Sequence, residues 1–161
     1  VADPKGVVGG FAMPTWMPMK AVVLFESLTG NTRKAGELIA TKLQTEGFGI
    51  TDVCPVRQPD HGAIQAADLV IVGTWVHGLF VVGQAPFGMD GLRHLPAISG
   101  KRVVTYCTFA LNPKRSLDKM AAALTARGGD VIGGVALNRS KLDQHTDVFV
   151  DRLLSTVSAA G

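Results

Sequence analysis

AVVLFESLTGNTRKAGELIA, residues 21–40, changes its hydrophobic pattern in the middle. It begins as an apolar, β-branched run, which predicts a buried strand over Lys20–Glu26. After SLTGNT the apolar residues recur at helical spacing, which predicts a helix over Thr32–Glu46 with one apolar face. The pattern therefore predicts a strand, a polar turn and a helix. The polar turn is the part that requires a functional explanation.

The remainder of the chain repeats this alternation of apolar strands and helices. Its 161 residues are 47% hydrophobic and 18% charged, which is typical of one globular domain with a sizeable core. Further strands are predicted over Phe48–Val53, Asp68–Gly73, Lys101–Cys107 and Val131–Leu137, with helices over Ala63–Ala67, Pro113–Arg127 and Asp143–Val157 and a long loop over Thr74–Gly91. This pattern predicts an α/β fold, a five-stranded doubly wound parallel sheet of order 2-1-3-4-5. In such a sheet the ligand site lies beyond the carboxyl ends of the first and third strands.

The start of the chain does not share this alternation. It is rich in glycine, proline and methionine, and we interpret residues 1–18 as a segment before a domain over 19–161. A natural extension, residues introduced by cloning and a misassigned start are all open. The segment lacks the basic start and continuous apolar stretch of a secretory signal. No apolar run approaches the roughly 18 residues of a membrane span, so no span is predicted.

Charge and cysteine content argue against several classes of function. The net charge of +3 is mild and the basic residues are scattered, so no nucleic-acid-binding surface is predicted. Cys54 and Cys107 are too few for a disulfide framework and have no CxxC spacing, which indicates reduced thiols and a cytoplasmic protein. The histidines show no metal-ligand spacing with cysteines or carboxylates, so no metal site is predicted.

The turn between the first strand and the first helix is suited to a phosphate group. A helix start presents unpaired amides and the positive end of the helix dipole, and a glycine permits close approach of the backbone. The six residues are Ser27, Leu28, Thr29, Gly30, Asn31 and Thr32. They lack the lysine of GxxxxGK[ST] and the three glycines of GxGxxG, which favours one terminal phosphate over a triphosphate or a dinucleotide. The alternative is a plain capped turn with Thr29 or Thr32 as the N-cap, and the turn alone leaves both interpretations open.

Two further stretches follow strands at the same edge of the predicted sheet. The third strand leads into Thr74-Trp75-Val76-His77-Gly78, where a planar aromatic ligand can stack on Trp75. The fourth strand leads into Cys107-Thr108-Phe109-Ala110-Leu111-Asn112-Pro113, where Phe109 either supplies an opposite wall or packs in the core. We interpret His77 as an exposed loop residue and Cys107 as a buried small side chain rather than a redox thiol.

Taken together, these motifs resemble those of the flavodoxins. Residues 27–32 match the [ST]-x-T-G-x-T loop that holds the phosphate of FMN, and residues 74–78 are similar to the T-W-x-x-G loop whose aromatic stacks on the isoalloxazine ring. The resemblance covers residues 19–161 and is to the short-chain form. It implies FMN as the cofactor and no catalytic residue of the protein's own, with the cofactor held by Ser27, Leu28, Thr29, Gly30, Asn31, Thr32, Thr74, Trp75, Val76, His77, Gly78, Cys107, Thr108, Phe109, Ala110 and Asn112.

The sequence also departs from the family pattern. The third loop, CTFALNP, lacks the expected aspartate, and Phe109 is at best a substitute for the stacking tyrosine. Typical flavodoxins are acidic, whereas this chain has a pI near 9.1. Lys114 and Arg115 follow the third loop, with little acid nearby beyond Asp90. We therefore expect a flavin environment that is more cationic than is usual in the family.

These patterns favour three candidate functions. The leading one is FMN-dependent electron transfer with a redox partner protein, either a reductase or an acceptor, and we favour a carrier over a stand-alone oxidoreductase. The second is an FMN-dependent oxidoreductase acting on a quinone-like substrate or a porphyrinogen, which the altered third loop and the basic balance favour. The third is a flavin-free regulatory module. A receiver domain shares the architecture, but its acidic pocket is absent because Glu26 stands alone.

Overall fold

The computed structural model describes residues 18–27, 29–77, 85–86, 91–92, 95, 98–113 and 115–159. Nearly all of the segment over 1–18 therefore lies outside the described residues. Within the described part, the strands are β1 (Lys20–Phe25), β2 (Gly49–Pro55), β3 (Leu69–His77), β4 (Ala85–Pro86), β5 (Arg102–Phe109) and β6 (Asp130–Asn138). The helices are α1 (Asn31–Thr45), α2 (His61–Ala66), α3 (Ser116–Ala126) and α4 (Leu142–Ala159). None of these helices is both long enough and apolar enough to cross a bilayer.

The strands form a parallel sheet in the order β2-β1-β3-β5-β6. This arrangement confirms the predicted five-stranded, doubly wound sheet of order 2-1-3-4-5. The added β4 was not predicted, and it pairs antiparallel with the end of β3 at Val76 and His77. One core packs α1 and α4 against the sheet, and a second core packs α2 and α3 on the opposite face.

The strands β3 and β5 continue into the stretches that were predicted to form the loops of the site. The loop predicted to begin at Thr74 is wrong at its start, because β3 continues to His77 and residues 73–75 pair with residues 106–108 of β5. In the same way, β5 continues past Cys107, its predicted end, so Thr108 and Phe109 belong to the strand rather than to a loop. The predicted end of the third strand at Gly73 is wrong, because β-branched and aromatic residues follow it and their backbones are paired in the sheet.

Gly73 remains in the strand because it gives room to a buried tyrosine. A Cβ added at Gly73 would overlap the ring of Tyr106, and one added at Gly36 in α1 would lie 2.7 Å from the Tyr106 hydroxyl. The hydroxyl donates a hydrogen bond of 2.9 Å to the Thr32 carbonyl, and the ring meets Phe149 edge-on at 6.1 Å. Burial raises the pKa of Tyr106 far above its usual value, so the phenol remains a donor. Tyr106 thereby joins β5 to the first turn of α1.

We expect Tyr106→Phe to lower the free energy of unfolding by about 0.5–1.5 kcal/mol, since it removes one hydrogen bond at nearly constant volume. Gly73→Ala should destabilise the fold more, by about 1–3 kcal/mol or beyond, because the ring has nowhere to move in a packed core. Urea denaturation of both variants beside the unmodified protein measures the two effects. A Gly73→Ala protein as stable as the unmodified one would contradict this packing.

Candidate functional site

The turns and strand ends at the carboxyl edge of the sheet surround one cleft. Its volume is about 200 Å³, and both polar and apolar side chains line it. The lining residues are Thr29, Asn31, Trp75, Val76, Thr108, Phe109, Ala110, Leu111, Asn112 and Arg139. They come from the β1–α1 turn, the end of β3, the end of β5 with the loop after it, and the turn after β6. This is the edge where a doubly wound sheet binds its ligand.

The β1–α1 turn presents hydroxyl groups and the start of a helix. Gly30 is the N-cap of α1 with a φ of 91°, a left-handed conformation that favours glycine. Its amide donates to the Ser27 hydroxyl oxygen at 3.1 Å, and the Asn31 side-chain amide donates to the Thr29 hydroxyl oxygen at 3.2 Å. Ser27 and Thr29 act here as acceptors, so each hydroxyl keeps its own hydrogen for another group. Leu28, also predicted as a site residue, lies outside the described residues.

The start of α1 is not closed by a side chain. Among the described residues no side chain caps this helix, and its first turn contains no acidic residue. The prediction of Thr29 or Thr32 as the N-cap is therefore wrong, because Gly30 occupies the N-cap position. An uncapped helix start without a nearby carboxylate leaves amide donors and the positive end of the dipole to an anion.

Thr32 connects the turn to the end of β5 rather than pointing into open solvent. Its hydroxyl oxygen lies 2.8 Å from that of Thr108, both side chains are buried, and either one can be the donor. Because two hydroxyls share a single hydrogen bond, one hydrogen remains for a further acceptor. Thr108 lines the cleft, so this pair joins the turn to the cleft wall.

Two aromatic side chains line the cleft at neighbouring strand ends. Trp75 is half-buried at the end of β3 and is paired in the sheet with Thr108 of β5. Phe109 follows Thr108 and is also half-buried. Val76 lies beside them, whereas Gly78 and the side chain of His77 lie outside the described part of the chain. The cleft therefore has flat apolar walls next to the hydroxyl groups of the turn.

Two of the predicted site residues are buried in the sheet and are not among the lining residues. Thr74 and Cys107 are cross-strand neighbours in β3 and β5, and both side chains are fully buried. Burial raises the pKa of the Cys107 thiol from its ordinary value of 9.0 to about 12. The thiol therefore stays protonated at neutral pH, which agrees with its interpretation as a small buried side chain.

Leu111 and Arg139 line the cleft although the sequence analysis did not select them. Leu111 is 70% exposed in the loop after β5. Arg139 begins the turn after β6, and its amide donates to the Phe109 carbonyl at 3.0 Å. Asn138 shapes this turn by accepting hydrogen bonds from the Ser140 amide and hydroxyl. A polar turn after the fifth predicted strand was the available signal, because all parallel strands end at the same edge.

The charged groups near the cleft are arranged differently from the prediction. Lys114 lies outside the described residues, and Arg115 is not a lining residue; its guanidinium lies 3.9 Å from the Asp118 carboxylate. Among the described residues that line the cleft, the cation is Arg139. Glu26 at the end of β1 is buried, and the Arg57 guanidinium lies 3.0 Å from its carboxylate. No cluster of metal-ligating side chains occurs within the described ranges.

Comparisons with known proteins agree with this architecture. A family model described as a flavodoxin domain matches residues 22–136. An archaeal flavodoxin structure is 16% identical over 86% of this chain and 99% of its own, with a TM-score of 0.62. A Streptococcus pneumoniae flavodoxin is 20% identical over 83% of this chain and 99% of its own, with a TM-score of 0.58. A cysteine-to-serine mutant of Pseudomonas aeruginosa flavodoxin is 13% identical over 87% of this chain and 99% of its own, with a TM-score of 0.64. None of the curated protein sequences matches this chain.

We expect the Cys107 thiol to react with a disulfide reagent about 1,000-fold more slowly in the native protein than in the unfolded one at pH 8. The thiolate is the reactive form, and a pKa about three units higher lowers the thiolate fraction by about this factor. A Cys54→Ala background leaves Cys107 as the single thiol for the colorimetric assay. Because the folded pKa is the higher one, the neutral thiol favours the fold fully below pH 9 and loses this effect as the pH rises towards about 12. Rapid native labelling at pH 8 would contradict the burial.

Proposed function

The chain belongs to the flavodoxin family, and on that premise we propose that it is an electron carrier that exchanges electrons with a redox partner protein. FMN is the cofactor of this family. The observation that supports the proposal best is the cleft itself, which combines an uncapped helix start, hydroxyl groups and two aromatic walls at one sheet edge. The helix start and the hydroxyl groups suit a phosphate, and the aromatic walls suit a planar ring in the same ligand.

The β1–α1 turn fits the phosphate end of FMN. The first-turn amides of α1 can donate to a phosphate, which as a dianion only accepts. The hydroxyls of Ser27 and Thr29 accept hydrogen bonds within the turn and keep their own hydrogens for donation, and the Thr32–Thr108 pair has one hydrogen left. Gly30 in the left-handed conformation turns the backbone tightly into the helix. The described part of the turn contains no lysine, which fits one terminal phosphate that is neutralised by amides and a helix dipole.

The strand ends fit the ring of FMN. Trp75 and Phe109 present aromatic surface to the cleft, and the Asn112 side chain and the loop backbone offer polar groups at its border. When bound, FMN supplies the redox chemistry. The chain supplies binding, orientation and the electrostatic environment, and its aromatic walls exclude water from the faces of the ring.

The carrier proposal includes a cytoplasmic location, in keeping with two buried, free cysteines.

A second candidate is an FMN-dependent oxidoreductase that reduces a quinone-like substrate or a porphyrinogen. One observation favours it: the described lining residues include Arg139 but no carboxylate, so the cleft is open to a small apolar or anionic molecule. Direct anaerobic reduction of a soluble quinone by the loaded protein, with turnover exceeding that of free FMN, would favour this second function.

The carrier and oxidoreductase functions both require selective binding of FMN. We expect riboflavin to bind roughly 100-fold more weakly or worse, since hydrogen bonds to a charged group contribute roughly 1.5–3 kcal/mol each and riboflavin has no phosphate. Quenching of flavin fluorescence measures both affinities. Ser27→Ala is the matched variant, and it should weaken binding of FMN while leaving that of riboflavin unchanged. Equal affinities for the two flavins would remove the basis of the proposal and favour a flavin-free module.

The aromatic wall is tested by Trp75→Ala. Loss of stacking should weaken FMN binding by about 0.5–1.5 kcal/mol beyond the effect of the lost contact area. Trp75→Phe keeps an aromatic face and should retain most of the affinity. Thermal unfolding without flavin is measured on the same proteins. A large loss of thermal stability with unchanged flavin affinity would assign Trp75 to packing alone.

A further inference from the structure

Exposed cations lie at the sheet edge that carries the cleft. Three of the turns at this edge each contribute two described cations, at or near the start of the following element. They are Arg33 and Lys34 in α1, Arg115 and Lys119 at the start of α3, and Arg139 and Lys141 after β6. We call these six residues the basic rim. The carboxylates in the same turns and helix starts are fewer, namely the buried Glu26 and the exposed Glu37, Asp118 and Asp143.

Most cations of the basic rim have no structural task within the described residues. Arg33 is paired with Glu37 at 2.8 Å, and Arg115 lies 3.9 Å from Asp118. For the side chains of Lys34, Lys119, Arg139 and Lys141, the described part of the chain supplies neither a hydrogen bond nor an ion pair. Their charges therefore point to solvent or to a partner.

The opposite edge of the sheet differs in this respect. The Lys101 ammonium donates to the Gln65 and Ala67 carbonyls at the end of α2, and the Arg127 guanidinium donates to the Leu95 carbonyl. Acidic residues also alternate with the cations there, at Glu46, Asp68 and Asp130. Lys20 and Arg102 at this edge also have no side-chain partner among the described residues, against four such cations at the end that carries the cleft. The larger share of uncommitted positive charge therefore lies at the cleft end, although the net charge of the chain is only +3.

An apolar side chain lies within the basic rim. Leu111 is 70% exposed and lines the cleft, as does the more buried Phe109 that precedes it by two residues. Protein interfaces combine an apolar centre with a polar or charged border. The cleft mouth has this composition, and it is also the route by which a redox partner would approach a cofactor in the cleft.

We propose that the basic rim docks an acidic surface of a redox partner protein, with Leu111 at the centre of the contact. This proposal rests on the proposed function and adds the charge of the partner to it. Individual surface ion pairs contribute little to affinity, but a set of like charges around one site steers association and raises the encounter rate. The resulting rate constant falls as salt screens the charges.

The test uses one electron acceptor in two charge forms. Cytochrome c carries a basic surface, and its succinylated form presents carboxylates in place of lysines around the same haem. The full-length, FMN-loaded protein is photoreduced anaerobically with EDTA as the electron donor, and stopped-flow absorbance follows haem reduction. Each electron that leaves the flavin converts one Fe(III) haem to Fe(II). The acidic form should react faster, with a rate constant that falls with ionic strength, whereas the basic form should show the opposite salt dependence.

Charge-reversal variants locate the effect. Lys119→Glu and Lys141→Glu lie outside the cleft lining, and each should slow reduction of the acidic form about 3- to 10-fold, by removing part of the steering field. Arg152→Glu changes the net charge equally but lies ten residues along α4 from Leu142, about 15 Å away, so its rate should remain close to that of the unmodified protein.

The outcomes separate this proposal from the one on which it rests. FMN affinity is measured first for each variant, and failure to bind FMN would overturn the proposed function as well. If FMN binds and electrons pass to both forms at equal, salt-independent rates, only the docking proposal is overturned. A rate loss in Arg152→Glu as large as in Lys119→Glu would reduce the effect to net charge and also overturn it. Charge-dependent binding to phosphatidylserine vesicles without any preference between the acceptors would assign the basic rim to a membrane surface instead.

Discussion

The buried hydroxyl of Tyr106 is the point on which the site depends. It donates to the Thr32 carbonyl in the first turn of α1, while its ring occupies space that the glycines at 36 and 73 leave free. Two residues further along β5, the Thr108 hydroxyl meets that of Thr32 at 2.8 Å. These contacts hold the helix start against the strand end. The donors of the turn and the aromatic wall therefore keep one relative position without any contribution from a ligand.

The same constraint explains why the strands extend past the glycine of β3. Because Tyr106 requires a residue without a side chain opposite it, Gly73 is a packing position and not a strand end. The continued pairing of β3 with β5 carries Trp75 next to Thr108 and buries Thr74 and Cys107 in the sheet. Cleft walls formed by paired strands are more rigid than walls formed by loops, which suits a site that must keep a planar ring in one orientation.

The charges at the sheet edge follow two different principles. Glu26 is buried and has the Arg57 guanidinium at 3.0 Å, since a buried carboxylate without a partner would be costly. Arg139 and Lys141 lie in a turn that Asn138 shapes with its own hydrogen bonds, so their side chains are not needed to hold the fold. Charge that is not required for packing is available to a ligand or a partner. The described cleft lining accordingly contains a cation and no carboxylate.

The sequence by itself determined the sheet order, the polar turn and the aromatic residue near the end of the third strand. Apolar periodicity and turn composition are local properties, and a parallel sheet translates them directly into topology. Tertiary structure alone decided which residues meet. Gly73 continues a strand because a tyrosine more than thirty residues away occupies its side-chain space, and Cys107 is removed from the cleft because the extended pairing buries it. Arg139 joins the cleft because parallel strands end at one edge, so residues far apart in the chain become neighbours there. Such contacts depend on long-range packing, which no local pattern records.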